Sequence, residues 1–211
     1  MSARFLIVDD HAVVRRGLAE ILLDAFPGAE TAEAGTARDG IARFRGATWD
    51  AVILDVTLPD RSGLDALKEM RELAPKTPVL VLSVHAEDHF AVRALKAGAS
   101  GYLNKESAPE ELVAAVRKVR AGGRYVSASL AERLAESLAS GGTGAPHEAL
   151  SDREFEVLLL IASGKTAGEI AEHLHLSVKT VSTYRARILE KTGMRTNAEL
   201  THYAISRGLV A

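Results

Sequence analysis

Cysteine is absent from the 211 residues, which excludes disulfide bonds and thiolate metal sites. This absence fits the reducing cytoplasm, where we expect the protein to act. The chain also lacks the run of about eighteen apolar residues that a membrane helix needs, and no signal-like segment precedes a cleavage site. We therefore expect no membrane partner. The formal net charge is only −2, so any basic surface that binds a nucleic acid must be local.

Glycine-rich phosphate loops are missing as well. Neither G-x-x-x-x-G-K-[ST] nor a G-x-G-x-x-G after the first predicted strand occurs, which disfavours P-loop and dinucleotide-binding sites. With 47% apolar residues, the chain can nevertheless build a substantial core.

Short apolar runs alternate with helical patterns over the first 121 residues. The predicted strands are Phe5–Val8, Glu30–Ala34 (the weakest), Ala51–Leu54, Pro78–Leu82 and 101–104. The predicted helices cover a stripe from Val14 to Ala25 and then 36–46, 62–74, 87–97 and 108–121. Such alternation predicts an α/β domain, with a five-stranded parallel sheet wound on both faces by helices.

The pattern changes after residue 121. We predict a linker over 122–149, because "SGGTGAP" at 140–146 has a flexible composition. A helix is predicted inside it at 127–140, where Leu130, Leu134 and Leu138 form a stripe suited to interdomain or dimer packing. The predicted domains are therefore 1–121 and 150–211.

No strand pattern is found beyond residue 150. Capping boxes begin at Ser151, Thr166 and Thr196, and Ser177 is a further candidate cap. They predict helices at about 152–163, 167–174, 178–192 and 197–207, which make a small all-α unit of four helices.

Polar residues follow four of the predicted strands. The acid pair Asp9 and Asp10 comes after the first, Asp55 after the third, Ser83 after the fourth and Lys105 after the fifth. Parallel strands bring their carboxyl ends to one edge of a sheet, where ligands bind. Clustered carboxylates favour a hard cation, and we expect Mg²⁺. His11, next to the acid pair, is expected to modulate the site weakly.

This set of groups predicts phosphoryl transfer. Asp55 is the candidate nucleophile, Lys105 and the ion would neutralise phosphate oxygens, and Ser83 would hydrogen-bond the arriving group. A phosphohydrolase is an alternative, since "LDVT" loosely resembles the D-x-D-x-T phosphatase motif. However, Thr57 then stands where that chemistry needs its general acid.

The segment 166–193 predicts a helix-turn-helix, since a short helix and a longer one are joined by a tight turn. One stripe of the second helix suits a DNA groove, and cations flank it. The candidate DNA contacts are Lys179, Thr180, Ser182, Thr183, Arg185, Arg187 and Lys191. Tyr184 is expected to be partly buried.

Residues 1–121 resemble the receiver domain of bacterial response regulators through "VDDH", "LDVTLPDRSGL", "VLS" and "GYLNK". The resemblance implies Asp55 as the acceptor of a phosphoryl group from a sensor histidine kinase. It implies Mg²⁺ ligation by Asp9, Asp10, Asp55 and the backbone carbonyl of Thr57. It further implies Ser83 and Tyr102 as switch residues. Glu106 replaces the proline that follows the lysine in many relatives, so their cis peptide bond is not expected.

Residues 150–208 resemble the LuxR-type helix-turn-helix of the NarL/FixJ class. Ser182 replaces a lysine common in relatives, so their operator sequence cannot be carried over. The last helix pairs two domains on DNA in that family, and Leu200, Tyr203 and Ala204 are the expected contacts. The resemblance implies a homodimer on promoter DNA or upon phosphorylation.

Both resemblances predict a two-component response regulator in which phosphorylation of Asp55 controls sequence-specific DNA binding. We expect no enzymatic turnover beyond self-phosphorylation from a phosphodonor and slow autodephosphorylation. The alternative is a constitutive DNA-binding regulator whose receiver domain only dimerises.

Overall fold

The computed structural model describes residues 2–83, 89–127, 130–132 and 145–210, and the chain divides into two compact units, 1–135 and 136–211. The predicted helix at 127–140 lies largely outside the described residues, although 130–132 are helical. Within the described ranges, no helix is long and apolar enough to span a membrane.

The first unit contains a parallel five-stranded sheet in the order β2-β1-β3-β4-β5. Its strands are β1 (Arg4–Val8), β2 (Glu30–Ala34), β3 (Ala51–Asp55), β4 (Val79–Ser83) and β5 (Gly101–Asn104). The order reverses between β1 and β3, so a ligand crevice is expected beyond their carboxyl ends. The predicted five-stranded parallel sheet is confirmed, and its strand order is that of a flavodoxin-like fold.

Helices cover both faces of this sheet. They are α1 (Ala12–Ala25), α2 (Ala37–Gly46), α3 (Gly63–Leu73), α4 (His89–Lys96) and α5 (Ala108–Arg120). Phe5 and Ile7 of β1 pack in one core with Leu22 of α1 and Val116 of α5. Val8 lies against α2, where a side chain at Gly40 would meet its methyl groups at 2.9 Å. Strand β1 is therefore buried on both faces, as its apolar run predicts.

Strand register brings the predicted functional residues to one edge. Val8 pairs with Leu54, Asp55 with Leu82, and Ser83 with Asn104. The residues that end or follow these strands therefore meet at the carboxyl edge of the sheet.

Gly63 allows α3 to begin directly against the end of β3. Its N–H donates to the carbonyl of Val56 at 2.7 Å, and the Ser62 hydroxyl accepts the N–H of Leu64. A Cβ atom at position 63 would lie 1.8 Å from the carbonyl oxygen of Asp55. Because that neighbour is backbone, only glycine fits here without moving the strand end.

The described part of the second unit, 145–210, contains helices joined by short turns and no strand. After a 3₁₀ turn (Pro146–Ala149), its helices are α6 (Asp152–Ala162), α7 (Ala167–His173), α8 (Val178–Thr192) and α9 (Asn197–Ser206). The predicted capping boxes at Ser151 and Thr166 are both formed. At Thr196 the hydroxyl accepts the N–H of Glu199, but the Glu199 carboxylate accepts from Arg195.

The turn of the helix-turn-helix is held by a buried arginine. Arg153 of α6 donates to the carbonyl of Leu174 at 2.9 Å and pairs with Glu156 at 2.8 Å. Leu174 is the C-cap of α7, and His175 follows with a left-handed φ of 52°. The bond from Arg153 therefore fixes the angle at which the chain enters α8.

Two of the expected dimer contacts on α9 are wrong. Leu200 and Ala204 are fully buried, and α9 packs against α6 of its own domain. The third, Tyr203, lies 2.7 Å from Nδ1 of His147 through its hydroxyl. The exposed large apolar side chain of α9 is Ile205.

Both ends of the predicted linker 122–149 have structural partners. Tyr125 bridges to Gly101 of β5, and its hydroxyl donates to Glu111 at 2.8 Å. His147 at the other end contacts Tyr203 and the ring of Phe155. These contacts attach each end to its own unit.

Replacing Gly63 with alanine tests the close approach of α3 to β3. We expect Gly63→Ala to lower the free energy of unfolding by about 2–4 kcal/mol, because the new methyl group must displace backbone. Urea unfolding followed through Trp49, the single tryptophan, reports on the first unit. Gly17→Ala in α1 is the matched control, since nothing lies within 4 Å of its added Cβ. Gly17→Ala should raise the free energy of unfolding by about 0.5–1 kcal/mol. Equal changes in the free energy of unfolding for the two variants would contradict the close approach of α3 to β3.

Candidate functional site

The predicted acids and the lysine meet at the carboxyl edge of the sheet. Asp9 and Asp55 are buried, as is Ser83 at the end of β4. Lys105, just after β5, places its Nζ 2.6 Å from Oδ2 of Asp55 and 2.7 Å from Oδ2 of Asp9. One ammonium group thus bridges carboxylates from two strands. The N–H of Lys105 also donates to the carbonyl of Ser83 at 2.8 Å, which ties β5 to β4 at this point.

The second acid of the pair lies at the rim of the site. Oδ1 of Asp10 is 2.6 Å from Nδ1 of His11, whose side chain is 66% exposed. The His11 ring is also 3.4 Å from Oδ1 of Asp9. His11 thus contacts the acid pair directly, a closer involvement than its position in the sequence indicates.

The environment of Asp55 disfavours its ionised form. Burial, together with the nearby Asp9 carboxylate, raises the pKa of Asp55 from 3.8 to about 7 despite the lowering effect of the Lys105 ammonium. Burial works in the opposite direction on Lys105, but the Asp55 and Asp9 carboxylates hold its pKa above the usual 10.5. Lys105 is therefore charged, and Asp55 carries an unfavourable charge that a cation would relieve.

The donor set fits a divalent cation. Ligand atoms of Asp9, Asp10, His11 and Asp55 all lie within 4.8 Å of one another. Three carboxylates against one Lys105 ammonium would leave two negative charges, which a divalent ion would balance. Carboxylate oxygens are also the ligands that hard cations prefer. The residues thus fit the expected ion in charge and in chemistry.

Thr57 lies next to Asp55, and Tyr102 is buried. The N–H of Thr57 donates to Oδ1 of Asp55 at 3.2 Å, which holds the carbonyl-bearing loop beside the acid. Tyr102 is only 1% exposed. Ligation by the Thr57 carbonyl and switching by Ser83 and Tyr102 stay predictions. The peptide between Lys105 and Glu106 is trans, as are the other described peptide bonds.

Sequence reasoning missed Arg15, which braces the acid pair. Arg15 lies on α1, and its Nη1 donates to the carbonyl of Asp9 at 2.6 Å. Its Nε donates to Glu33 of β2 at 3.3 Å. The guanidinium therefore fixes the turn after β1 from the helix and from the neighbouring strand.

Sequence reasoning also missed Asp60, which anchors the loop after β3. Its carboxylate accepts the N–H groups of Ala37 and Arg38, both at 2.9 Å, in the first turn of α2. Burial raises the pKa of Asp60, but these backbone bonds lower it overall. Glu69 adds a second tie, because it pairs with Arg61 at 2.7 Å and with Arg45 at 2.9 Å. The loop between Asp55 and α3 is thus held at two points against α2.

The candidate DNA contacts divide into two groups. The first group, Lys179, Ser182, Thr183 and Arg187, is exposed and has no bond to another helix among the described residues. The hydroxyls of Ser182 and Thr183 donate to backbone carbonyls one turn earlier, so their oxygens still offer lone pairs to a base edge. Tyr184 is half-buried, as expected.

The other three candidates have partners inside their own domain. Thr180 contacts the capping hydroxyl of Ser177 at 2.8 Å. Arg185 donates to Asn197 at 2.5 Å, which links α8 to the start of α9. Lys191 donates to Glu154 at 2.6 Å.

The Lys191 bond has a structural role. Burial raises the pKa of Glu154, but Lys191 and the N–H of Ser151 hold it below its usual value overall. The ion pair therefore joins the C-terminal end of α8 to the N-terminal cap of α6.

Val178 is a surface feature that the sequence patterns did not identify. It is the first residue of α8 and is 52% exposed. An apolar side chain there is suited to contact with a thymine methyl group, since recognition helices read bases near their N-termini.

The raised pKa of Asp55 predicts a pH-dependent effect of neutralising it. The folded pKa of about 7 exceeds the unfolded 3.8, so stability falls as pH rises between these values and the full cost is present above pH 7. Without divalent ions, Asp55→Asn should raise the free energy of unfolding by about 1–3 kcal/mol at pH 8, with a smaller gain at pH 5. Urea titrations at both pH values test this, with exposed Asp65→Asn as the control. A larger gain at pH 5 would contradict it.

Two protein families account for most of the chain. The response regulator receiver domain family matches residues 5–117. The family of bacterial regulatory proteins of the luxR type matches residues 148–204. These matches coincide with the sheet domain and the helical domain.

Several characterised proteins are similar over nearly the full length. Response regulator UvrY of Escherichia coli K12 is 37% identical over 205 residues, which cover 97% of this chain and 94% of UvrY. Response regulator GacA of Pseudomonas aeruginosa is 37% identical over 208 residues, 98% of this chain and 97% of GacA.

Solved structures agree with this assignment. RcsB of Salmonella enterica serovar Typhimurium, bound to promoter P1flhDC with the phosphomimetic BeF₃⁻, is 26% identical with a TM-score of 0.59. That match covers 98% of this chain and all of RcsB. A LuxR-family two-component response regulator from Aurantimonas sp. SI85-9A1 is 36% identical over 66% of this chain and 99% of its own, with a TM-score of 0.59. The chain therefore belongs to the NarL/FixJ-class response regulators, with a receiver domain followed by a LuxR-type DNA-binding domain.

Proposed function

We propose that Asp55 accepts a phosphoryl group from a sensor histidine kinase, at a site that holds Mg²⁺, and that this controls promoter binding by the second domain. The observation that carries the proposal is the Lys105 ammonium, 2.6 Å from Asp55 and 2.7 Å from Asp9. The buried Asp55 carboxylate thus lies beside a positive charge that can pair with phosphoryl oxygens.

The proposed reaction is a displacement at phosphorus. A carboxylate oxygen of Asp55 forms the new P–O bond while the P–N bond of a phosphohistidine, or the P–O bond of a small donor such as acetyl phosphate, breaks. The leaving imidazole or acetate takes the released electron pair. Lys105 pairs with the transferred oxygens, and the Ser83 hydroxyl donates to one of them. The bound ion would supply charge neutralisation for the carboxylates and for the phosphoryl oxygens.

Turnover is proposed to be limited to this self-modification and its slow reversal. Hydrolysis of the acyl phosphate needs an activated water. The loop position two residues after Asp55 carries Thr57, whose hydroxyl is a poor general acid or base at neutral pH. The protein would therefore act as a switch and not as a phosphatase.

The phosphoryl group would signal through its charge. It adds nearly two negative charges and three acceptor oxygens beside Ser83. Movement of Ser83 towards those oxygens would open space for the buried Tyr102 ring and alter the surface of β5 and α4. The promoter complex of RcsB, formed in the presence of a phosphomimetic, supports coupling of this change to DNA binding, which we propose to involve a homodimer.

The exposed stripe of α8 is the proposed reading surface. Lys179 and Arg187 would contact phosphates, and Ser182, Thr183 and Val178 would lie towards base edges. Arg185 and Lys191 already bond to Asn197 and Glu154 inside the domain. We therefore expect them to contribute less to DNA binding than Lys179 and Arg187.

Phosphorylation should strengthen DNA binding in a manner that depends on Asp55. On a duplex selected from random sequence, we expect BeF₃⁻ with Mg²⁺ to raise the affinity at least about fivefold, as for a coupling free energy of about 1–3 kcal/mol. Fluorescence anisotropy at fixed salt measures this. Asp55→Asn should show no response, and Asp65→Asn on α3 should respond as the wild type does. Equal affinity with and without BeF₃⁻ would favour a constitutive regulator.

The two groups of α8 residues should differ in their salt dependence. Lys179→Ala and Arg187→Ala should each weaken binding on selected and scrambled duplexes alike and reduce the slope of log K against log salt by about 1. Ser182→Ala should instead reduce the ratio between the affinity for the selected duplex and the affinity for the scrambled duplex. Lys68→Ala in the receiver domain is the control for loss of one charge. Unchanged salt slopes for both Lys179→Ala and Arg187→Ala would show that α8 does not contact the DNA phosphates.

A further inference from the structure

We propose that His11 is an additional ligand of the divalent ion and that its imidazole shifts the preference of the site from Mg²⁺ towards first-row transition ions such as Mn²⁺. This inference rests on the proposed function, because it concerns the same cation site.

The distances place the imidazole inside the ligand set. Its Nδ1 lies 2.6 Å from Oδ1 of Asp10 and 3.4 Å from Oδ1 of Asp9. Ligands on opposite sides of an octahedral ion are about 4.2 Å apart, twice a bond of about 2.1 Å. The ligand atoms of the three acids and His11 already lie within 4.8 Å of one another. Only small side-chain adjustments therefore separate this cluster from a shared ion.

The position of His11 in the fold supports a role other than helix formation. His11 is the N-cap of α1, yet its side chain makes no capping hydrogen bond. N-caps favour Ser, Thr, Asp and Asn because their short side chains accept backbone N–H groups. The His11 N–H instead donates to Oδ1 of Asp9 at 2.8 Å, which anchors the residue to the acid pair. A residue that breaks a local rule beside a cluster of acids is a candidate for function.

The imidazole can reach an ion without disturbing packed atoms. The His11 side chain is 66% exposed, whereas Asp9 is only 1% exposed. Buried carboxylates would hold the inner side of the ion, and a ring at the rim would cover its outer side. Rotation of the ring costs no core contact.

Nitrogen in the ligand set changes which ion binds best. Mg²⁺ prefers oxygen ligands and retains waters, while imidazole suits transition ions. An imidazole that replaces one retained water would therefore add more to the affinity for Mn²⁺ than for Mg²⁺.

Simple pairing of His11 with Asp10 is the competing explanation. In that case His11 affects the ion only through the charge and hydrogen bonding of Asp10. Its removal would then change Mg²⁺ and Mn²⁺ affinities by the same factor.

Calorimetry of the full-length protein at pH 8 separates the two explanations. Mg²⁺ and Mn²⁺ are titrated into the wild type, His11→Ala and the control His173→Ala, an exposed histidine of the second domain. We expect His11→Ala to weaken Mn²⁺ about tenfold and Mg²⁺ less than about threefold, and His173→Ala to change neither. Equal factors for the two ions would overturn the proposal.

Pulsed electron paramagnetic resonance provides the direct readout. Electron spin-echo modulation of bound Mn²⁺ should show a coordinated ¹⁴N in the wild type and in His173→Ala, and none in His11→Ala. Bound Mn²⁺ without the ¹⁴N signal in the wild type would refute ligation by His11 and leave the phosphoryl-transfer proposal intact. Failure of the wild type to bind either ion would refute this inference together with the cation site of the proposed function.

Discussion

The contact of one ammonium with two buried carboxylates is the constraint on which the rest of the site depends. Lys105 reaches Asp9 and Asp55 from a third strand, so it fixes the ends of β1, β3 and β5 relative to one another. Its single charge does not compensate three acids. Burial, and to a lesser degree the Asp9 carboxylate, keeps the pKa of Asp55 high, and the uncompensated negative charge suits the edge to a divalent ion and then to a phosphoryl group. The excess negative charge at this edge therefore lowers the stability of the fold but also favours binding of the cation that phosphoryl transfer needs.

Local sequence patterns, namely apolar periodicity and helix caps, predicted most of the helices and strands. Strand β1 was expected at Phe5–Val8 and begins one residue earlier, at Arg4. The strand-end residues Asp55, Ser83 and Lys105 were located because parallel strands share one edge. Side-chain ties across long stretches of chain had no such signal. Asp60 caps a helix that begins 23 residues earlier, and Lys191 pairs with a glutamate 37 residues away. No local pattern encodes these pairs, because they exist only after the elements have packed.

In the recognition helix α8, too, local sequence patterns could not predict which side chains have partners within the domain. The basic residues of α8 were predicted as one surface, but partners within the domain divide them. Arg185 and Lys191 bond to residues of neighbouring helices, whereas Lys179 and Arg187 are exposed without such a bond among the described residues. Helical periodicity assigns residues to a face, but it cannot show which cations a neighbouring helix already engages. The buried Leu200 and Ala204 of α9 illustrate this too, since their apolar character served the domain core and not a dimer surface.

Intact-mass spectrometry with a small phosphodonor tests the central claim most directly. The protein is incubated with acetyl phosphate, with and without Mg²⁺, and the modified residue is located by borohydride reduction and peptide mapping. The account predicts a mass gain of a single phosphoryl group that requires Mg²⁺, maps to Asp55 and is lost in Asp55→Asn. No adduct under any condition, or an adduct that persists in Asp55→Asn, would contradict it.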